Sequence, residues 1–274
     1  MRRTTAVSAL ALAAALTLVG TAPAQVLTIT QWDFNGATTG TTVPSTGTGT
    51  ANLVGGTTAT FASGIASGGS SDPVTTSPPN FGWNLTSFPA QGTGNETAGA
   101  EFLVSTVGFQ DIQVRWDQRH SNTASRFVSL YYTLNGSTWV KFLLDSSNSN
   151  PGITPPGGNP PSTPGLYGGA GTFAGFDSSV TGAGDDWFNG RSVDLSSIPG
   201  ANDNPNFGIR ILASFGGTSG YEAATTYAGT GTWRFDMVTV SGTVVPEPTS
   251  LALCGIAAGA GAWWRRRVKR KAAD

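Results

Sequence analysis

Between residues 81 and 144, large apolar and β-branched side chains gather in short runs: Phe81 to Leu85, Ala100 to Val107, Ile112 to Trp116, Phe127 to Leu134 and Trp139 to Leu144. Runs of this length, rich in aromatic and β-branched residues, predict strands. Asn135-Gly136, between the last two, predicts a hairpin whose turn needs positive φ. A loop rich in Pro, Gly, Ser and Asn runs from about Asp145 to Gly171, and four more runs follow: Trp187 to Asn189, Ser192 to Leu195, Phe207 to Phe215 and Thr232 to Val240. In the third of these, Ile209, Ile211 and Ala213 alternate with Arg210, Leu212 and Ser214, the period of a strand with one face in a core. Leu27 to Phe34 reads as the first strand. Residues 36–80 are Thr-, Gly- and Ser-rich and carry few large apolar side chains, so they read as loops with one or two weak edge strands. No fixed-period repeat and no helical periodicity interrupts this pattern. It predicts an all-β domain over residues 25–243, a two-sheet sandwich in which Thr28 to Phe34 pairs with Thr232 to Val240 and closes the fold.

Composition narrows the class. Of 274 residues 38 are Gly and 16 Pro, and only 11% are charged, whereas 38% are hydrophobic and 10% aromatic. That excludes a coiled coil, a helical bundle and a charged disordered chain, and it fits an extracellular β domain with long loops. The net charge of −1 hides an asymmetry, because eight of the 15 Lys and Arg residues sit at the two ends. Residues 25–248 retain seven basic and 15 acidic side chains, about −8 overall. Such a body offers nothing to a phosphate backbone, so nucleic acid is not an expected partner. Hard cations are.

The ends read as targeting segments. Arg2 and Arg3 precede the apolar run Ala6 to Val19, and Ala22-Pro23-Ala24 supplies small residues for signal peptidase, so residues 1–24 are expected to be a cleaved signal peptide. Residues 244–274 hold Pro246-Glu247-Pro248, then an apolar stretch at 249–264, then Arg265, Arg266, Arg267, Lys269, Arg270 and Lys271 in a basic tail at 265–271. Sixteen residues of helix reach about 24 Å, a short span with Trp263 and Trp264 at headgroup level and the basic cluster on the cytoplasmic side. The lone Cys254 lies in this stretch, leaving the exported body without disulfides or a cysteine nucleophile.

Motif, apolar helix and basic cluster, in that order at the chain end, resemble the PEP-CTERM sorting signal of Gram-negative and related bacteria. The resemblance covers Val245 to Lys271. It implies an exosortase as processing partner, a transient membrane anchor, and a final place at the cell surface or in the extracellular matrix of polysaccharide-producing, biofilm-forming bacteria. The body resembles, more loosely, the jelly-roll sandwiches of bacterial surface proteins, through Ser129-Leu130-Tyr131-Tyr132-Thr133-Leu134-Asn135-Gly136-Ser137-Thr138-Trp139, Val193 to Gly200, Phe207 to Ile211 and Gly231 to Val240. That likeness implies architecture, with roles from carbohydrate binding to purely structural ones.

Catalytic motifs are wanting. His120 is the sole histidine and reads as an exposed loop residue at a strand end, a poor member for a Ser/His/Asp triad. Glu96 and Glu101 are five apart, on opposite faces of any strand, unlike the facing carboxylates of a glycosidase. Structural calcium is the one cofactor the composition favours, with Asp33, Asp236 and the pair Asp185-Asp186 as candidate oxygen ligands. For a sugar platform, Trp116, Trp139 and Trp233 fall within alternating strands and are expected in the core, whereas Tyr167, Trp187 and Tyr221, in loop context, are expected to be exposed. Two classes compete: a non-enzymatic surface or matrix protein, and a lectin-like carbohydrate-binding module with extracellular polysaccharide as partner. A secreted hydrolase is a distant third.

Overall fold

A computed structural model of the chain describes residues 25–144, 166–169, 172–178, 185–214 and 230–245. The expected signal peptide, the Pro246-Glu247-Pro248 motif, the apolar stretch 249–264 and the basic tail lie outside the described residues. Among those described, no helix is long and apolar enough to cross a membrane.

Thirteen strands are described: β1 (Val26–Trp32), β2 (Thr50–Val54), β3 (Thr58–Ser63), β4 (Phe81–Thr86), β5 (Gly99–Val104), β6 (Phe109–His120), β7 (Phe127–Thr133), β8 (Trp139–Phe142), β9 (Leu166–Gly169), β10 (Thr172–Asp177), β11 (Asp186–Asp194), β12 (Phe207–Ser214) and β13 (Trp233–Val244). They form two antiparallel sheets. The six-stranded sheet runs β11-β6-β13-β4-β3 with β1 also on β13, and the seven-stranded sheet runs β2-β5-β12-β7-β10-β9 with β8 also on β7. First and last strands pair as the pattern predicts, Val26 opposite Thr243 through Trp32 opposite Val238. One edge of β13 serves two partners. It pairs with β4 over Trp233–Phe235 and with β1 from Val238 onward, and the handover falls at a bulge where Met237 takes φ 49°.

The core lies between the sheets. Ile112, Val114 and Trp116 of β6 and Phe235, Val238 and Val240 of β13 meet Phe102 of β5, Leu130 of β7 and Ile209 and Ile211 of β12, all at most 2% exposed. Trp32 tilts against Phe102 at 5.2 Å, and Trp83 stacks on Phe34 at 5.6 Å. With each sheet giving its alternate residues to this layer, each also has an outer face, and those two outer faces are built differently.

Several strand limits differ from expectation, each for a physical reason. β6 does not stop at Trp116 but continues four residues to His120, because both faces of its polar end are covered and Asp117, Gln118 and Arg119 can be buried with partners. The pieces at Trp187 and Ser192 are one strand, β11, with a register shift between Phe188 and Arg191 that Gly190 accommodates at φ 79°. β9 lies inside the expected loop at 145–171, and β10 follows it. The weak edge strands expected in 36–80 are β2 and β3, each terminal in its sheet. The Asn135-Gly136 hairpin joins β7 to β8, with positive φ at Gly136 alone; Asn135 instead shapes the turn by accepting hydrogen bonds at Oδ1 from Ser137 N and Thr138 N.

Candidate functional site

The outer face of the seven-stranded sheet presents two side-by-side rows of side chains. Strand register sets the first as Asn52, Glu101, Arg210, Tyr131 and Lys141, crossing β2, β5, β12, β7 and β8. Two residues along, the second row is Thr50, Leu103, Gly208, Thr133 and Trp139. Gly208 is required there, since a Cβ would stand 3.1 Å from Thr133 Cγ2 and closer still to Leu103 Cδ2. Its absence lets Leu103 and Thr133 close over the sheet. A polar row thus runs beside a row containing Leu103 and Trp139.

The polar row is held rigid. Glu101 accepts from Asn52 Nδ2 at 3.0 Å and from Arg210 Nε at 2.8 Å, with the second Arg210 contact at 2.7 Å. The same guanidinium lies 4.0 Å over the Trp139 ring, so one arginine fixes both the carboxylate and the indole. At the other end Glu96 accepts from Lys141 Nζ, from Tyr131 Oη at 2.5 Å and from Ser129 Oγ at 2.7 Å. Burial alone would raise the Glu96 carboxyl; these donors outweigh it and hold the group below its usual range. Beyond the Leu103 end, the strand ends form a cleft of about 280 Å³, lined by Thr48, Thr50, Leu103, Ser105, Pro205 and Asn206 among others.

This reverses the expectation for two tryptophans. Trp139, expected in the core, is half-buried on the outer face because β8 is a short edge strand with only Phe142 turned fully inward. Trp187, expected to be exposed, is 1% accessible: it faces outward from the six-stranded sheet, but the connection between β3 and β4 lies over that face, and its Nε1 donates to Ala66 O at 2.8 Å. Trp116 and Trp233 are buried as expected. Tyr167 lies on β9 with its side chain outside the described residues, and Tyr221 lies outside them altogether.

The expected calcium ligands are not brought together. Asp185 pairs with Arg119 and accepts from Asn122 N, while Asp186 opens β11 opposite His120. Asp33 accepts from Asn35 N at 3.1 Å beside an open hollow of about 480 Å³. Asp236 is fully buried opposite Asp117, a residue the sequence reading passed over because its strand was expected to end at Trp116. Among the described residues no three His, Cys, Asp or Glu side chains group closely enough to hold a metal by themselves.

His120 is also not where the pattern put it. It is fully buried, with its ring edge-on to Phe188 at 5.3 Å and to Trp233 at 5.5 Å. Nδ1 faces Ser125 O at 2.9 Å and so carries the proton, leaving Nε2 to accept from Arg191 at 3.1 Å. Burial first, and then the Arg191 charge, hold its pKa well below the ordinary 6.5. Ser178 Oγ stands 3.2 Å from Nε2, yet a Ser–His pair without solvent access, whose Nδ1 faces a carbonyl instead of a carboxylate, has structural work to do and no substrate to reach.

No protein-family model and no curated protein matches the sequence. Among solved structures, the chain is similar to the CBM22-1 xylan-binding domain from Paenibacillus barcinonensis Xyn10C, at 8% identity and a TM-score of 0.33, over 82% of this chain and 100% of that one.

Proposed function

We propose that the protein is an exported, non-catalytic β-sandwich that binds polysaccharide along the outer face of its seven-stranded sheet. The observation carrying this reading is the pairing of rows on that face: Asn52, Glu101, Arg210 and Tyr131 as a fixed polar ledge, with Leu103 and Trp139 beside it. A pyranose has apolar C–H faces and a rim of hydroxyls, and it needs both kinds of surface within one ring's width. Pre-set side chains lower the ordering cost of binding such a ligand. The carboxylates on this face are engaged by cations, Glu101 by Arg210 and Glu96 by Lys141, which supports binding over hydrolysis. In this reading the amino-terminal segment directs export, and Pro246-Glu247-Pro248 with its apolar stretch and basic tail is the exosortase sorting signal that places the protein in the extracellular matrix.

A glycan array probed with the purified full-length chain tests the binding. Retention of a neutral or acidic polysaccharide, weakened tenfold or more by Trp139→Ala and by Arg210→Met but not by Asp111→Asn, is the expected outcome. Retention that both variants leave unchanged would place the ligand elsewhere. No retention at all would leave a purely structural matrix role.

A further inference from the structure

The outer face of the six-stranded sheet is closed by the connection between β3 and β4, residues 64–80, which is almost devoid of large apolar side chains. It buries acids. Asp117 of β6 and Asp236 of β13 are direct cross-strand neighbours on this face, and both are fully buried. Two carboxylates so placed repel each other, and taking them out of water is costly unless a cation accompanies them. Their described hydrogen-bond partners are neutral: Ser71 N and Gly190 N for Asp117, Ser70 Oγ and Met237 N for Asp236. Asp72 adds a third negative charge nearby. Arg115 and Arg234 exert a field here, but Arg234 directs Nε to Asn84 Oδ1 and Nη1 to Ser63 O, and among the described residues neither arginine hydrogen-bonds to Asp117 or Asp236.

A separate observation points into the same spot. Asn80 is 1% exposed, and its Nδ2 donates to Val74 O at 2.7 Å, which turns Oδ1 the other way. That oxygen has no partner among the described residues. It faces the acids: a Cβ added at Gly64 would overlap Asn80 Oδ1 and stand 3.1 Å from Asp236 Oδ2, so the two oxygens flank one point. A buried acceptor without a described donor, beside buried carboxylates that no described cation bonds directly, has the inverse charge pattern of a hard metal ion.

We infer that Asp236, Asp117 and Asn80 form a calcium site that fastens the 64–80 connection onto the six-stranded sheet. The donors are all oxygen, with no thiol or imidazole among them, which selects an alkaline-earth ion over zinc. Two carboxylates and one amide are fewer than the six to eight ligands calcium takes, and backbone carbonyls of the 64–80 connection and water complete the shell. The site is independent of the polysaccharide face, which lies on the other sheet.

The test is thermal unfolding of the full-length chain in chelator and in calcium, with direct titration calorimetry to count the ions bound per chain. Calcium a hundredfold above its Kd should raise Tm by about 5 to 10 °C, with about one ion bound per chain. Magnesium should do much less. Asp236→Asn should abolish the response; Asn80→Ala, which leaves both charges in place, should weaken it and serves if the first variant does not fold. A Tm equal in calcium and chelator would overturn the site.

Discussion

Trp32 and Trp233 provide a matched pair for measuring what an indole N–H is worth in this core. Both are fully buried. Trp233 packs against Phe88 at 5.1 Å and donates from Nε1 to Ser125 O at 2.9 Å. Trp32 packs against Phe102, and its Nε1 has no acceptor among the described residues. Replacing each by Phe removes the same atoms, so the lost transfer energy and the cavity are alike to first order and the difference isolates the N–H. At Trp233 the substitution forfeits a hydrogen bond of about 1 kcal/mol, although Ser125 O keeps His120 Nδ1 as a donor and is not stranded. At Trp32 it removes a buried donor whose desolvation already costs about 1 to 3 kcal/mol. Trp32→Phe should therefore be less destabilising than Trp233→Phe by roughly 2 to 4 kcal/mol, or near-neutral if repacking fills the gap. For a domain of this size each kcal/mol moves Tm by about 2 to 4 °C, so the two variants should melt at least about 4 °C apart. Urea denaturation with matched m-values checks that the comparison is between like states. Equal destabilisation by the two would refute the reasoning, because then the N–H contributes nothing at either site.

Acid should act through His120. Its folded pKa is depressed below the unfolded 6.5, so the unfolded chain binds the extra proton and stability falls as pH drops below 6.5, by up to about 1.4 kcal/mol per pH unit. Denaturation midpoints of the wild type minus those of His120→Gln, from pH 7.5 to 5, should show that slope, and parallel curves would exclude it. Sorting should depend on the motif. Changing Pro246-Glu247-Pro248 to three alanines should leave export intact and keep the chain in the membrane with its anchor, and intact carboxyl termini on wild-type protein in mass spectra of surface material would remove the exosortase reading.

The strands were readable where one face meets the core and the other meets solvent, because burial then writes its period into the sequence. The clear case is β6 as far as Trp116, where Ile112, Val114 and Trp116 are buried between exposed Asp111, Gln113 and Arg115. The failures fall where that condition lapses. From Asp117 to His120 the end of β6 is buried on both faces by polar partners: Gln118 Oε1 accepts from Trp116 Nε1 and from Arg191, and Asp117 accepts from the 64–80 connection. A segment such as Asp117-Gln118-Arg119-His120 looks like a loop when judged by hydropathy alone. Its strand character comes from neighbours that lie more than forty residues away.

The same physics explains why Trp187 and Trp139 exchange the exposures expected of them and why Asp117 goes unread beside Asp236. Whether an outward-facing side chain sees solvent depends on what covers its sheet, and a Gly- and Ser-rich cover leaves no hydrophobic trace, because it works through backbone groups such as Ala66 O on Trp187 and Ser71 N on Asp117. The cover puts Trp187 out of reach of solvent and buries Asp236 beside Asp117. The other sheet does the opposite, leaving Trp139 half-buried on its outer face although it sits in an alternating strand. Low-complexity stretches in β-sandwiches therefore carry information about function that resides in what they lie over. In this chain the 64–80 cover closes the face that holds Asp117 and Asp236, whereas the row from Asn52 to Lys141 on the other sheet keeps partial access to solvent.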